Sequence, residues 1–139
     1  MTAQPSASAP LAGARSGAFV AAKVLTALFV LGVLVNLFLA GLGTFGRGEG
    51  TGFGPHRMLG EALLVAAVLI LILVAVARPG GRALRLAGIL AVLMLVQYGL
   101  GDAGEKLPVL GGLHALNALV VAGVSFGLAA STGALRKPH

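Results

Sequence analysis

The chain has 139 residues, of which 58% are hydrophobic and only 10% are charged. A soluble domain of this size carries far more surface charge, so the composition excludes that class and indicates an integral membrane protein. The net charge of +6 comes from basic residues near predicted helix ends and does not indicate nucleic-acid binding. The absence of cysteine excludes disulfides, thiolate metal sites and a CxxCH haem attachment.

Four apolar segments predict an all-α, four-helix transmembrane bundle. Residues 1–17 are rich in Ala, Ser and Pro and predict a disordered N-terminal tail. The transmembrane domain is expected over residues 18–131, and a basic C-terminal tail over residues 132–139. The apolar stretch after Lys23 exceeds a usual signal-peptide core, so the first helix should remain in the mature protein. The predicted helices are Phe19–Leu42, Pro55–Ala77, Ala83–Leu100 and Val109–Ala130.

The distribution of basic residues predicts the orientation in the membrane. Two connections, residues 43–54 and residues 101–108, should lie outside, and both termini should be cytoplasmic. The expected location is a bacterial cytoplasmic membrane, with multiple passes and the lipid bilayer as a partner. Seven basic residues fall on the predicted inner side and three on the outer: Arg15, Lys23, Arg78, Arg82, Arg85, Arg136 and Lys137, against Arg47, Arg57 and Lys106.

An internal repeat with a spacing of 58 residues indicates two helical hairpins. Gly41-Leu42-Gly43 recurs as Gly99-Leu100-Gly101, and His56 recurs as His114, without a gap. Two hairpins that insert in the same direction form parallel repeats, related by an axis along the membrane normal. Each histidine lies 22 residues before an inner-side arginine. That separation is roughly 33 Å in a helix, so both imidazoles should lie near the outer edge of the hydrocarbon.

Each repeated histidine is followed four residues later by a small residue, Gly60 or Ala118. Because residues i and i+4 share a helix face, these positions leave room for a flat group between the helices. Close packing of membrane helices is the alternative explanation for small residues.

The repeated pair, His56 and His114, predicts the two axial ligands of one haem b, bound without covalent attachment. Ionisable groups inside a membrane are candidates for a functional role. Another metal, a quinone site, or no ligand with interfacial hydrogen bonds are the alternatives.

Five further polar residues have candidate roles in or near this site. Arg57 and Glu61 have the i, i+4 spacing of an ion pair. Alternatively, Arg57 pairs with a haem propionate and Glu61 holds or relays a proton. Asn117 either orients a nitrogen of His114 or forms an interhelical hydrogen bond. Gln97 and Asn36 are expected to form interhelical bonds of that structural kind.

The motifs His56-Arg57-Met58-Leu59-Gly60 and Leu113-His114-Ala115-Leu116-Asn117, with Gln97-Tyr98-Gly99-Leu100-Gly101, resemble one four-helix half of the heme A synthase family. They are also similar to uncharacterised small bacterial four-helix membrane proteins with an HRxxG and LHxxN signature. The resemblance spans about residues 20–131 and implies a histidine-ligated haem site. Members of that family have eight helices and often a cysteine pair, which this chain lacks.

The sequence therefore predicts a small membrane protein that binds one haem near the outer face, for electron transfer or haem handling. A membrane redox partner or quinone is expected, and a homodimer would restore eight helices. The alternatives are an accessory subunit without a cofactor and a proton-coupled transport module that uses Glu61. Whether the protein is an enzyme is left open.

Overall fold

A computed structural model describes residues 8–47 and 52–135, with side chains from Leu11 onward. It confirms an all-α architecture with four helices, each long and apolar enough to cross a membrane. Large apolar side chains such as Val65 and Leu119 point outward, 60% and 64% exposed, as lipid-facing residues do. The helices are α1 (Ser8–Phe45), α2 (Gly54–Ala77), α3 (Gly81–Gly104) and α4 (Pro108–Thr132).

Helix α1 begins much earlier than the sequence predicted. It starts at Ser8, so the prediction of disorder is wrong for residues 8–17. The same prediction for residues 1–7 concerns a segment outside the described residues. The segment contains Ala, Leu and Arg, which favour helix, and Pro10 occupies the first turn, where it costs little. Extending a helix that already exists also avoids the cost of nucleation.

The four helices form a ring in chain order. α1 packs against α2 and α4, and α3 packs against the same two helices. α2 and α4, which carry the repeated histidines, are therefore diagonally opposite across the bundle axis. We call the end with connections 46–53 and 105–107 the loop end, and the end with the turn at 78–80 the turn end. Gly80 has φ of +137°, a conformation that favours glycine in this turn.

The bundle is closed in the half near the turn end. Ala67, Ile70, Leu90 and Leu128 are fully buried there. Because these side chains fill the axis, the helices pack without a central space in this half. A layer with one buried side chain from each helix forms the upper boundary of this core: Val33, Leu63, Met94 and Val121.

The two hairpins differ at the loop end. α4 begins at Pro108, one turn before the position that the repeat would match with Gly54, the first residue of α2. The second connection, residues 105–107, is correspondingly short. The extra turn contains Gly111, which meets Gly104 of α3 so closely that a Cβ added to Gly104 would lie 2.8 Å from the Gly111 Cα. Two glycines therefore set the distance between α3 and α4.

Substitution of Gly104 by alanine should destabilise the protein. The new Cβ would meet backbone atoms, which cannot rotate away, and overpacking of this kind costs about 1–3 kcal/mol. Gly99→Ala is a matched control, because nothing lies within 4 Å of a Cβ at that position. Thermal unfolding in detergent should show a loss for Gly104→Ala and no loss for Gly99→Ala, since alanine favours helix more than glycine. Equal melting temperatures would contradict close packing at Gly104.

Candidate functional site

A cavity of about 590 Å³ occupies the bundle between the buried layer and the loop end. Its volume lies within the range of small-molecule sites, about 300–1,000 Å³. All four helices line it, and most of its wall is apolar. The polar and charged side chains in its wall are Asn36, Thr44, His56, Arg57, Glu61, Gln97, Tyr98, Asp102, Glu105 and His114.

The two repeated histidines meet in this cavity. The ring centroids of His56 and His114 are 6.0 Å apart, and the ring planes are inclined by 75°. Both residues are half-buried and line the same space. The repeat thus brings one imidazole from each hairpin to the same level from diagonally opposite helices.

Each imidazole is fixed by the helix that precedes its own. Nδ1 of His56 lies 3.0 Å from the carbonyl oxygen of Asn36 on α1, and Nδ1 of His114 lies 3.0 Å from that of Gln97 on α3. A carbonyl oxygen only accepts, so Nδ1 is the donor in both bonds. In a neutral imidazole the proton is then on Nδ1, and Nε2 retains its lone pair. A hydrogen bond from the ring nitrogen that does not bind the metal is typical of histidines that ligate one.

Gln97 is the residue that sequence reasoning missed as part of the site. Besides its carbonyl contact, its side-chain Nε2 lies 3.2 Å from Nε2 of His114. The sequence predicts only interhelical hydrogen bonds with a structural role for this residue. A signal was present: an amide among apolar residues at the depth of His114, on the helix that adjoins α4.

Asn117 does not contact His114 through any hydrogen bond among the described residues. Its Nδ2 donates to the carbonyl oxygen of Leu93 at 3.0 Å and to Oε1 of Gln97 at 2.6 Å. Asn117 therefore does not orient His114 directly, as one prediction had it, but contacts Gln97, which in turn contacts His114. The interhelical bond between α4 and α3, which the sequence offered as the alternative, is present.

The small residues near the histidines line the cavity. Gly60 and Ala118 both contribute to its wall, and a Cβ on Gly60 would lie 3.7 Å from Nδ2 of Asn36. Gly101 approaches His114 most closely, since a Cβ there would lie 3.1 Å from the ring. Gly60, Gly101 and Ala118 thus leave room beside the imidazoles, as the sequence predicts for Gly60 and Ala118. That these residues contact a bound ligand stays a prediction.

The repeat equivalent of Gly101 performs a related role on the other side. A Cβ on Gly43 would lie 2.8 Å from the ring of Phe53, and that ring makes an edge contact with His56 at 6.1 Å between centroids. Gly43 thus leaves room for the ring of Phe53, which packs against His56. In each copy of the Gly-Leu-Gly repeat, the second glycine leaves room for a ring: that of His114 beside Gly101, and that of Phe53 beside Gly43.

The predicted ion pair between Arg57 and Glu61 is wrong. The guanidinium of Arg57 pairs instead with the carboxylate of Glu105, at the end of α3, and both side chains are largely exposed at the cavity mouth. Residue spacing suggests an i, i+4 pair, but the neighbouring hairpin presents a second carboxylate. Glu61 lines the cavity and forms no ion pair with any described residue.

One fully buried polar atom in the cavity wall has no partner within the described part of the chain. Oδ1 of Asn36 is buried and accepts no hydrogen bond, although the backbone carbonyl of the same residue holds His56. A buried acceptor without a partner carries a desolvation cost of about 1–3 kcal/mol. A donor from a bound molecule or from water would remove this cost.

The donor set restricts which metal the site suits. Within residues 8–47 and 52–135, no group of three or more His, Cys, Asp or Glu side chains is arranged to hold one metal ion. Zinc sites in proteins use three or four such ligands. A metal held by these two imidazoles would need further ligands from a bound group.

Comparison with known proteins finds one family of unknown function. The model of that family (DUF6220) matches residues 36–104, just under half of the chain. The matched segment contains Asn36, His56 and Gln97 and ends before α4 and His114. No curated protein and no solved structure matches the chain. The comparisons thus give no link to heme A synthases, and that resemblance stays a prediction from the motifs.

The ion pair between Arg57 and Glu105 should contribute little to stability. Its side chains are 62% and 57% exposed, and such pairs contribute about 0–1 kcal/mol. Glu105→Gln should therefore lower the free energy of unfolding by less than about 1 kcal/mol, and salt should reduce the difference further. Thermal unfolding at low and high ionic strength measures this, with Arg57→Gln as the matched variant. A large, salt-independent loss would contradict the assignment of an exposed pair.

Proposed function

We propose that this protein is a small membrane cytochrome that binds one haem b between His56 and His114, for electron transfer or haem handling. The single observation that carries the proposal is the distance of 6.0 Å between the centroids of the two rings, which line the same cavity. Metal–imidazole bonds are about 2.0 Å long, so two rings that ligate one metal from opposite sides have centroids roughly 6 Å apart. The histidine spacing thus suits a shared metal.

The protonation pattern supports the same proposal. Both Nδ1 protons are committed to backbone carbonyls of the preceding helices. The Nε2 lone pairs are therefore the ones available for ligation. Haem supplies the one-electron chemistry when bound, while the protein fixes the ligands and the apolar surroundings that set the potential.

The surroundings suit a flat, largely apolar group with charged edges. The buried layer below the cavity excludes water from the turn end, and Gly60, Gly101 and Ala118 cut back the walls. Arg57 at the cavity mouth carries a positive charge that suits a propionate. It would bind the propionate either instead of Glu105 or in addition to it. Arg57 and Glu105 both lie at the loop end, where a propionate would reach water.

We further propose that the loop end faces the outside of a bacterial cytoplasmic membrane. The basic residues near the turn end, including Arg78, Arg82 and Arg85, support a cytoplasmic location for that end and for both termini. The haem would then lie near the outer surface, within reach of a membrane redox partner or a quinone. A homodimer, which would bring eight helices together, stays a prediction from the resemblance.

Haem binding is tested by the reduced-minus-oxidised absorption spectrum of protein purified from haem-replete membranes. Two imidazole ligands should give sharp bands, and His56→Ala and His114→Ala should each abolish them, because each removes one of the two histidines that would hold the haem. His139→Ala is the matched control for loss of a histidine and should leave the bands unchanged. Folding of each variant is checked by circular dichroism.

A flat spectrum of the unaltered protein, despite a supply of haem, would contradict the proposal and favour an accessory subunit without a cofactor. Bands that survive in both single variants would show that haem binds elsewhere. Loss of the sharp bands in only one of the two variants would show that the other histidine is not a ligand and would contradict double ligation.

A further inference from the structure

The two histidines differ on the side that faces the cavity. Nε2 of His114 is contacted by the amide nitrogen of Gln97 at 3.2 Å, whereas Nε2 of His56 has no hydrogen bond with any described residue. The two hairpins also differ in the partner helix: the position equivalent to Gln97 in the first hairpin is Leu39, while the carbonyl that holds His56 belongs to Asn36, one turn earlier. The symmetric pair of imidazoles is thus held asymmetrically.

The direction of each bond in this network follows from two backbone carbonyls. The Leu93 carbonyl only accepts, so the group of Asn117 that faces it is the Nδ2 amide. The same Nδ2 donates to Oε1 of Gln97, which directs the Gln97 amide nitrogen toward His114. Nδ1 of His114 is already the donor to the Gln97 carbonyl, so Nε2 must be the acceptor.

We infer that Gln97, held by Asn117, competes with a bound metal for Nε2 of His114, so that His56 is the permanent ligand and His114 the exchangeable one. An imidazole nitrogen has one lone pair in the ring plane. That pair either accepts the hydrogen bond from Gln97 or binds iron, and it cannot do both. His56 meets no such competition.

The consequence is a second binding function, which rests on the proposed haem site. When His114 leaves the iron, it recovers the Gln97 hydrogen bond, so its release is favoured over that of His56. The vacated position lies on the α4 side of the cavity, beside Gly101 and Ala118, where the walls are cut back. A small neutral diatomic molecule is the class of ligand that such a position admits.

The affinity of the reduced, haem-loaded protein for carbon monoxide tests this inference. Gln97→Leu removes the side-chain donor but keeps the backbone carbonyl that holds Nδ1. Released His114 then gains no bond, so the affinity for carbon monoxide should fall about 2- to 10-fold. Asn117→Ala should shift the affinity in the same direction by a smaller factor. Leu39→Ala, at the equivalent position in the first hairpin, is the control and should have no effect.

The nitrogen resonances of histidine in the haem-free protein provide a second measurement. The Nε2 resonance assigned to His114, from its absence in His114→Ala, should move in Gln97→Leu, while that of His56 should stay in place. This result does not depend on haem, so failure of the haem proposal and failure of the competition are distinguishable. An unchanged His114 resonance, or an unchanged carbon monoxide affinity in Gln97→Leu, would overturn the inference.

Discussion

The site depends on one kind of interaction, the hydrogen bond from a histidine Nδ1 to a backbone carbonyl of the preceding helix. His56 makes it to Asn36 and His114 makes it to Gln97, both at 3.0 Å. Because a carbonyl cannot donate, each bond fixes the tautomer and limits rotation of the ring. The carbonyl of residue 97 lies inside α3 (Gly81–Gly104), and because its oxygen has two lone pairs it can accept the imidazole N–H in addition to an intrahelical bond. The fold therefore determines both the direction of each imidazole and the tautomer of its neutral form.

The remainder of the bundle keeps the space between the imidazoles open. Close packing near the turn end, around Ile70 and Leu90, stabilises the helices without any contribution from the cavity. At the loop end, glycines set the distances between the helices, with Gly104 against Gly111 and Gly101 against His114. A closed half and an open half are thus combined in one short bundle.

The number of helices, their approximate limits and the pairing of the two histidines could be predicted from the sequence. Hydropathy locates the membrane spans, and the repeat places His56 and His114 at one depth. The partners of Arg57 and Asn117 could not be predicted, because they depend on the rotation of each helix about its axis. Hydropathy leaves that rotation open, since lipid-facing and buried positions are equally apolar in these spans. The start of α1 at Ser8 escaped prediction because helix propensity there outweighed the lack of periodicity.

The central claim, that the two hairpins bring His56 and His114 together, is tested most directly by solid-state NMR of the protein in bilayers. With only histidine labelled by ¹³C and ¹⁵N, a centroid distance of 6.0 Å should give a cross-peak between the two imidazoles. The peak should vanish in His56→Ala and in His114→Ala and persist in His139→Ala. Intact signals from both rings without a cross-peak between them would contradict the account.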